Sequence, residues 1–111
     1  MAFSVIAPAP SLSASELEIA IASGPAFVDV PGGYDLMLRK SGWQPLTTFD
    51  VTAEFAQRQR TWIEGMTVRA DSITDVVGAA EFAERMKRRQ DTLAAVDRAL
   101  LKREIFVAVA I

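Results

Sequence analysis

Three short apolar runs are separated by long stretches with helical spacing. The run at 2–7 ends at Pro8, which cannot continue a sheet ladder, so it predicts a first strand. Residues 43–52 carry apolar and threonine side chains and include Pro45, which predicts a second strand at a sheet edge. The run at 105–111 is apolar throughout and predicts a central strand, because neither of its faces offers polar side chains to water.

The stretches between these runs repeat apolar residues at helical spacing. Ser13 stands three residues before Glu16, which is the spacing of a capping box at a helix start. Thr52 stands before a third helical pattern and is its predicted cap. The predicted helices cover 14–23, a short stretch that ends before Gly42, 53–66, and then a short and a long helix that reach residue 101.

The order of elements is β, α, α, β, a group of helices, and β, which predicts an α/β fold. We expect a single domain over 1–111 with four to five helices, and a helical insert over 53–101 between the last two strands. No linker rich in Ser, Gly or Pro divides the chain. Phe106 and Val109 are the predicted core positions of the central strand.

The composition excludes several classes of function. The chain has 111 residues, of which 50% are hydrophobic and 23% are charged, as in an ordinary globular domain. It contains no Cys and no His, so it has no disulfide, no thiol nucleophile and no imidazole ligand or base. Asp71 and Asp75 lie one helical turn apart, but a helix start explains Asp71, and no metal site is predicted.

Charge and hydropathy predict neither a nucleic-acid partner nor a membrane partner. The net charge is -2, and the basic run at 85–89 is interleaved with acidic residues, without an aromatic series for base stacking. The apolar run within 1–10 follows no basic residue and is too short for a secretory core or a membrane span. We therefore expect a cytoplasmic protein.

The order and spacing of these elements resemble the last third of a class I S-adenosylmethionine-dependent methyltransferase of the small-molecule type. The run at 2–7 is similar to the fifth strand of that family. Residues 34–43, with an aromatic residue after Gly42, are similar to the helix and entry of the sixth strand, and 106–108 to the seventh. The resemblance implies a truncated Rossmann-like fold, with a three-stranded mixed or antiparallel sheet whose last strand is central.

The same resemblance implies that the donor-binding part is missing. The Gly-rich loop and the acidic residue that hold the donor ribose in the family would lie before Met1. Gly32 and Gly33 open no G-x-G-x-x-G pattern and are interpreted as a turn. No cofactor site and no catalytic residue are therefore assigned, and S-adenosylmethionine would bind only if a donor-binding half were supplied.

Four residues are candidates for substrate binding. The resemblance to substrate-covering regions of the family implies that Trp62 and Met66 cover an apolar acceptor and that Arg69 pairs with an anionic group. Pro8 follows the first strand at its carboxyl end, where open α/β sheets bind ligands. The alternative is that Trp62 and Met66 belong to the core, Arg69 is solvated, and Pro8 only ends a strand.

Two functions follow from the sequence. In the first, the chain forms the acceptor-side wall and helical lid of a methyltransferase and is inactive without a donor-binding polypeptide. In the second, it is a stand-alone homodimeric module that binds a small ligand or a protein without catalysis. The homodimer would form through the strand at 2–7, because this run carries neither charge nor proline before Pro8.

Overall fold

The computed structural model describes all residues from 1 to 111. None of its helices is both long and apolar enough to cross a bilayer. The strands are β1 (Ala2–Pro8), β2 (Trp43–Asp50) and β3 (Leu101–Ala110). The helices are α1 (Ala14–Ser23), α2 (Gly33–Lys40), α3 (Thr52–Val68), α4 (Ala70–Val77) and α5 (Ala79–Asp97).

The three strands form one antiparallel sheet in the order β1-β3-β2. The predicted α/β class and the central position of the last strand are confirmed. Since β1 and β2 each run antiparallel to β3, they are parallel to each other, and their carboxyl ends lie at the same end of the sheet. The edge strand β2 carries an irregularity between Pro45 and Thr47, as expected for a strand that contains proline at a sheet edge.

The last strand begins at Leu101, earlier than the predicted start at residue 105. The added part carries the charged residues Lys102, Arg103 and Glu104. Lys102 and Glu104 form an ion pair of 3.1 Å on one face of the strand. Arg103 lies on the other face, where its guanidinium carbon is 5.5 Å from the centroid of the Phe55 ring. These contacts allow β3 to extend through residues that an apolar pattern excludes.

The sheet packs different helices on its two faces. On one face, the Phe106 ring lies 5.4 Å from Phe3 and 5.1 Å from Tyr34 of α2. On the other face, Leu101 joins the main buried cluster, to which α1, α3 and α5 also contribute. The members of that cluster are Ala20, Phe55, Ala56, Ala95, Val96, Leu100 and Leu101.

The buried core is small for a chain of this length. Only 9 of the 111 residues are buried. The radius of gyration is 16.6 Å, against about 13 Å for a compact domain of roughly 100 residues. Helix α1 is rich in apolar residues, yet Ala20 is its only buried residue, and Leu17, Ile19 and Ile21 are exposed. The chain therefore leaves much apolar surface in contact with water.

The prediction that Val109 belongs to the core is wrong, because its side chain is 43% exposed. Val109 lies on the same face of β3 as Leu101 but eight positions further along, roughly 26 Å away at the rise of a strand. Helices α3 and α5 cover only the end of the strand near Leu101. Phe106 is half-buried in its aromatic cluster rather than fully buried.

The start of α3 is tied to the sheet by a short network of hydrogen bonds. The Asp50 carboxylate accepts from the Thr52 amide at 2.9 Å and from the Thr52 hydroxyl at 2.5 Å. The Thr52 hydroxyl in turn accepts from the Arg103 amide at 3.1 Å, and the Arg103 carbonyl accepts from the Val51 amide at 2.9 Å. The prediction that Thr52 is the cap is wrong, because Thr52 is the first helical residue and Val51 occupies the cap position without a side-chain cap hydrogen bond. The Asp50 carboxylate, one residue earlier, accepts from the first helical amide.

The capping box predicted for α1 is present. The Ser13 hydroxyl accepts from the Glu16 amide at 3.2 Å, and the Glu16 carboxylate accepts from the Ser13 amide at 3.0 Å. The hydrogen bond from the Ser13 backbone amide is the main reason why the pKa of Glu16 lies below its usual value.

We expect Leu101→Ala to lower the free energy of unfolding by about 2 to 5 kcal/mol, because Leu101 is 2% exposed and its loss opens a cavity in the main cluster. The matched control is Val109→Ala on the same strand, which should change stability by less than about 1 kcal/mol. Urea denaturation monitored by circular dichroism measures both. Equal losses for the two variants would contradict the position of the core.

We expect Thr52→Val to lower the free energy of unfolding by about 1 to 2 kcal/mol at neutral pH, since its hydroxyl links Asp50 to the Arg103 amide. The Thr52 hydroxyl and then the Thr52 amide hold the pKa of Asp50 below its usual value. The lowered pKa of Asp50 stabilises the fold when the pH is above the pKa of an unfolded aspartate, which is about 3.9. This stabilisation is lost as the pH falls through the lower pKa that Asp50 has in the folded chain.

The difference between Thr52→Val and the unmodified chain should therefore narrow in acid, and NMR titration should show a raised pKa for Asp50 in the variant. Thr61→Val is the control, because the Thr61 hydroxyl donates only to a carbonyl of its own helix. A stability difference that does not change with pH, together with an unchanged pKa of Asp50, would refute the role of this network.

Candidate functional site

A cavity of about 430 Å³ lies between α3, α5 and β1, and we call it the lid cavity. The helical insert leaves the sheet after Asp50 and returns at Leu101, both at the end where β1 and β2 have their carboxyl ends. This is the end of an open α/β sheet where ligands usually bind. The lining residues are Ile6, Pro25, Phe55, Gln59, Trp62, Met66, Ile73, Arg85, Arg88, Arg89 and Thr92.

Trp62 and Met66 lie one helical turn apart on α3 and both line the lid cavity. The Trp62 side chain is 53% exposed, so it is not a core residue. The guanidinium carbon of Arg89 lies 4.6 Å from the centroid of the Trp62 ring, which is the geometry of a cation–π contact. This contact joins α3 to α5 across the mouth of the cavity.

Arg85, Arg88 and Arg89 lie on one face of α5, because residues three and four positions apart are neighbours on a helix. Arg85 pairs with Glu81 at 2.8 Å, and Arg88 pairs with Glu84 at 3.2 Å. Arg89 forms no ion pair. Sequence reasoning missed this group as part of a site, although its helical spacing was a signal that the basic side chains share one face.

Three of the four predicted substrate-binding residues lie together, because Trp62, Met66 and Arg69 line one depression of about 330 Å³. Trp62 and Met66 also line the lid cavity, whereas Arg69, at the junction of α3 and α4, does not. Pro8 lines a separate cavity of about 250 Å³ that runs along β1. The structure thus brings Trp62 and Met66 together with the arginines of α5, and not with Pro8.

The outer edge of β1 has no neighbouring strand. Met1 exchanges two backbone hydrogen bonds with Ala108, at 2.8 and 2.9 Å, and the Ala9 amide donates to the Leu100 carbonyl at 2.9 Å. Since bonding alternates along an antiparallel pair, the odd-numbered residues of β1 bond to β3. The amides and carbonyls of Ala2, Ser4 and Ile6 therefore point outward.

Segment 24–28 flanks this edge near residues 4–8 and encloses the second cavity, but no backbone hydrogen bond joins it to β1. Phe27 and Val28 of the segment are exposed. Ile6 and Pro25 line both the second cavity and the lid cavity, so the two cavities are neighbours there. We call the outer edge of β1, segment 24–28 and the exposed side of α1 the β1 margin.

Gly32 and Gly33 do not form a cradle for a donor nucleotide. Gly32 has a φ of +79°, and a Cβ atom there would lie 2.3 Å from the Leu36 side chain, so this glycine allows close packing rather than an open cradle. The Gly33 amide donates to the Val30 carbonyl at 2.9 Å and closes a turn. No group of three or more Asp or Glu residues is placed to hold a metal ion.

Comparisons with known proteins give a result for the fold alone. No protein-family model matches the sequence, and no curated protein matches it. Among solved structures, the chain is similar to a protein from Galdieria sulphuraria that is provisionally described as a sarcosine dimethylglycine methyltransferase. The TM-score is 0.77 at 12% sequence identity, over 96% of this chain and 40% of that protein. The chain therefore has the fold of one part of a methyltransferase and spans less than half of that protein's length.

Proposed function

We propose that this chain is the acceptor-side portion of a small-molecule methyltransferase. In this proposal, its helices α3 to α5 form the lid over the acceptor. A donor-binding segment, on the same or another polypeptide, binds along the β1 margin. The observation that carries the proposal is the unpaired edge of β1, which lies beside exposed apolar surface and next to the lid cavity, whose wall includes Ile6 and Pro25.

An unpaired strand beside exposed apolar surface makes an isolated domain prone to association with other chains. Outward amides and carbonyls without a neighbour are a template for further strand pairing, and proteins usually cover such an edge. The exposed side chains of Ile21 in α1 and of Phe27 and Val28 in segment 24–28 lie beside the same edge. A strand and helix placed here would pair with β1 and cover this surface in one step.

The geometry would bring the two halves of a reaction site together. A segment bound along β1 would reach Ile6 and Pro25, which also line the lid cavity. Methyl transfer requires the donor carbon and the acceptor atom to be held in line and shielded from water, and positioning supplies much of the rate. The absence of His and Cys is compatible with this chemistry, since Trp62 and Met66 can shield the acceptor.

A second candidate is the homodimer, in which β1 of another copy occupies the same edge. Two antiparallel copies of β1 would form a continuous sheet through the outward groups of Ala2, Ser4 and Ile6. The lack of charged residues in β1 favours such pairing. Segment 24–28 flanks residues 4–8, so pairing over the whole strand requires this segment to move aside.

We expect the isolated chain to give no saturable heat with S-adenosylmethionine in titration calorimetry, because the proposal assigns the backbone cradle for the donor and the carboxylate for its ribose to the donor-binding segment. S-adenosylhomocysteine serves as a second probe of the same site. A dissociation constant on the order of 1 μM for either compound would contradict the proposal that a separate segment binds the donor.

We expect Ser4→Pro to weaken any association through β1 by at least about tenfold, since proline removes an outward backbone donor that an edge strand offers. Ser4→Ala is the matched control, because it removes only the hydroxyl that accepts from Arg103 at 3.3 Å. Val5→Pro would not be informative, since the Val5 amide faces β3. Light scattering over a concentration series measures the association, and a chain that stays monomeric at high concentration would exclude the homodimer.

A further inference from the structure

The charged residues that line the lid cavity are all arginines, Arg85, Arg88 and Arg89, and no Asp or Glu lines it. Arg85 and Arg88 each use one nitrogen on a glutamate of α5, and a guanidinium has five N–H donors. Both side chains therefore keep donors for a further partner. This arrangement suits a ligand that brings negative charge.

Arg89 is the cation whose charge is least compensated. It is half-buried, and no carboxylate oxygen lies within 4.0 Å of its nitrogens. The Trp62 ring holds its guanidinium by a cation–π contact at 4.6 Å. One turn further along α5, the Thr92 hydroxyl donates to the Ser23 carbonyl at 2.5 Å, which fixes this part of the helix against α1. The charge of Arg89 is therefore positioned before any ligand binds.

The rest of the wall is apolar, apart from Gln59 and Thr92. Ile6, Phe55, Met66 and Ile73 line the cavity together with the arginines. A volume of about 430 Å³ lies within the usual range for small-molecule sites. The combination of arginine and apolar lining residues suits a compound that has both an anionic group and an apolar body.

We propose that the lid cavity binds a small carboxylate with an aromatic or other apolar body. The carboxylate accepts from Arg89 and from a free donor of Arg85 or Arg88, in the paired geometry that guanidinium groups give to carboxylates. The body lies against Trp62 and Met66. This inference rests on the proposed function in one respect, since it identifies the bound carboxylate as the methyl acceptor.

The test uses benzoate as the probe and the isolated chain in solution. Each tryptophan gives one indole N–H signal in a nitrogen–proton NMR spectrum, and Trp62→Phe assigns the two signals of Trp43 and Trp62. Benzoate should shift the Trp62 signal saturably, with a dissociation constant on the order of 1 mM. Benzamide has the same shape without the charge and should bind at least about tenfold more weakly.

Arg89→Gln should weaken benzoate binding by at least about tenfold. Lys87→Gln is the matched control, because Lys87 lies on the same helix, carries the same charge, pairs with Asp91 at 2.7 Å and does not line the cavity. Lys87→Gln should change the affinity for benzoate by less than about twofold. Equal affinities for benzoate and benzamide, equal effects of the two substitutions, or no saturable shift would each overturn the inference.

Inorganic phosphate separates recognition of the carboxylate compound from a general response to anions. It should shift the Trp62 signal far less than benzoate, and an equal effect would show a simple anion site and overturn the role of the apolar body. Benzoate binding requires neither S-adenosylmethionine nor a partner. A lack of benzoate binding would therefore not contradict the proposal that a separate segment binds the donor. Binding of S-adenosylmethionine to the isolated chain would refute that proposal and would not contradict the carboxylate site.

Discussion

The double pairing of β3 is the interaction on which the rest of the structure depends. Alternate residues of this strand bond to β1 on one side and to β2 on the other. The pairing of β3 with β1 joins the last and the first strand of the chain, and β3 lies in the middle of the sheet although it comes last in sequence. Leu101, at its first position, also anchors the main buried cluster. Without β3, neither edge strand has a partner and the helices have no sheet on which to pack.

The same pairing also fixes the position of the helical insert between β2 and β3. The helical insert leaves β2 through the Asp50 and Thr52 network, which binds to the backbone of Arg103 in β3. It returns through the buried Leu100 and Leu101. Both ends of the insert are thus fixed at the same end of the sheet, while its middle is held mainly by packing of α3 on α5. The Trp62 and Arg89 contact belongs to this middle part, so the lid cavity is shaped by the insert and anchored by the sheet.

The apolar runs were sufficient to predict three strands and the central place of the last one, and the capping-box spacing of Ser13 and Glu16 predicted the start of α1. They could not predict the charged start of β3, because Lys102 and Arg103 are accommodated by Glu104 and Phe55 through contacts that appear only after folding. Exposure of Val109 was missed because an apolar pattern does not indicate how far the helices extend along a strand. Trp62 and Met66 were identified as candidates, but their arginine partners depend on how α5 packs against α3.

We propose that the outer edge of β1 binds a partner strand. Amide hydrogen exchange in dilute solution is the most direct test of whether this edge is free in the isolated chain. In the isolated chain, Ser4 and Ile6 should exchange nearly as fast as an unstructured peptide, because their amides face outward. Phe3, Val5 and Ala7 should be protected by their bonds to β3. Protection of all five amides at high dilution would show that the chain covers its own edge, and would contradict the account.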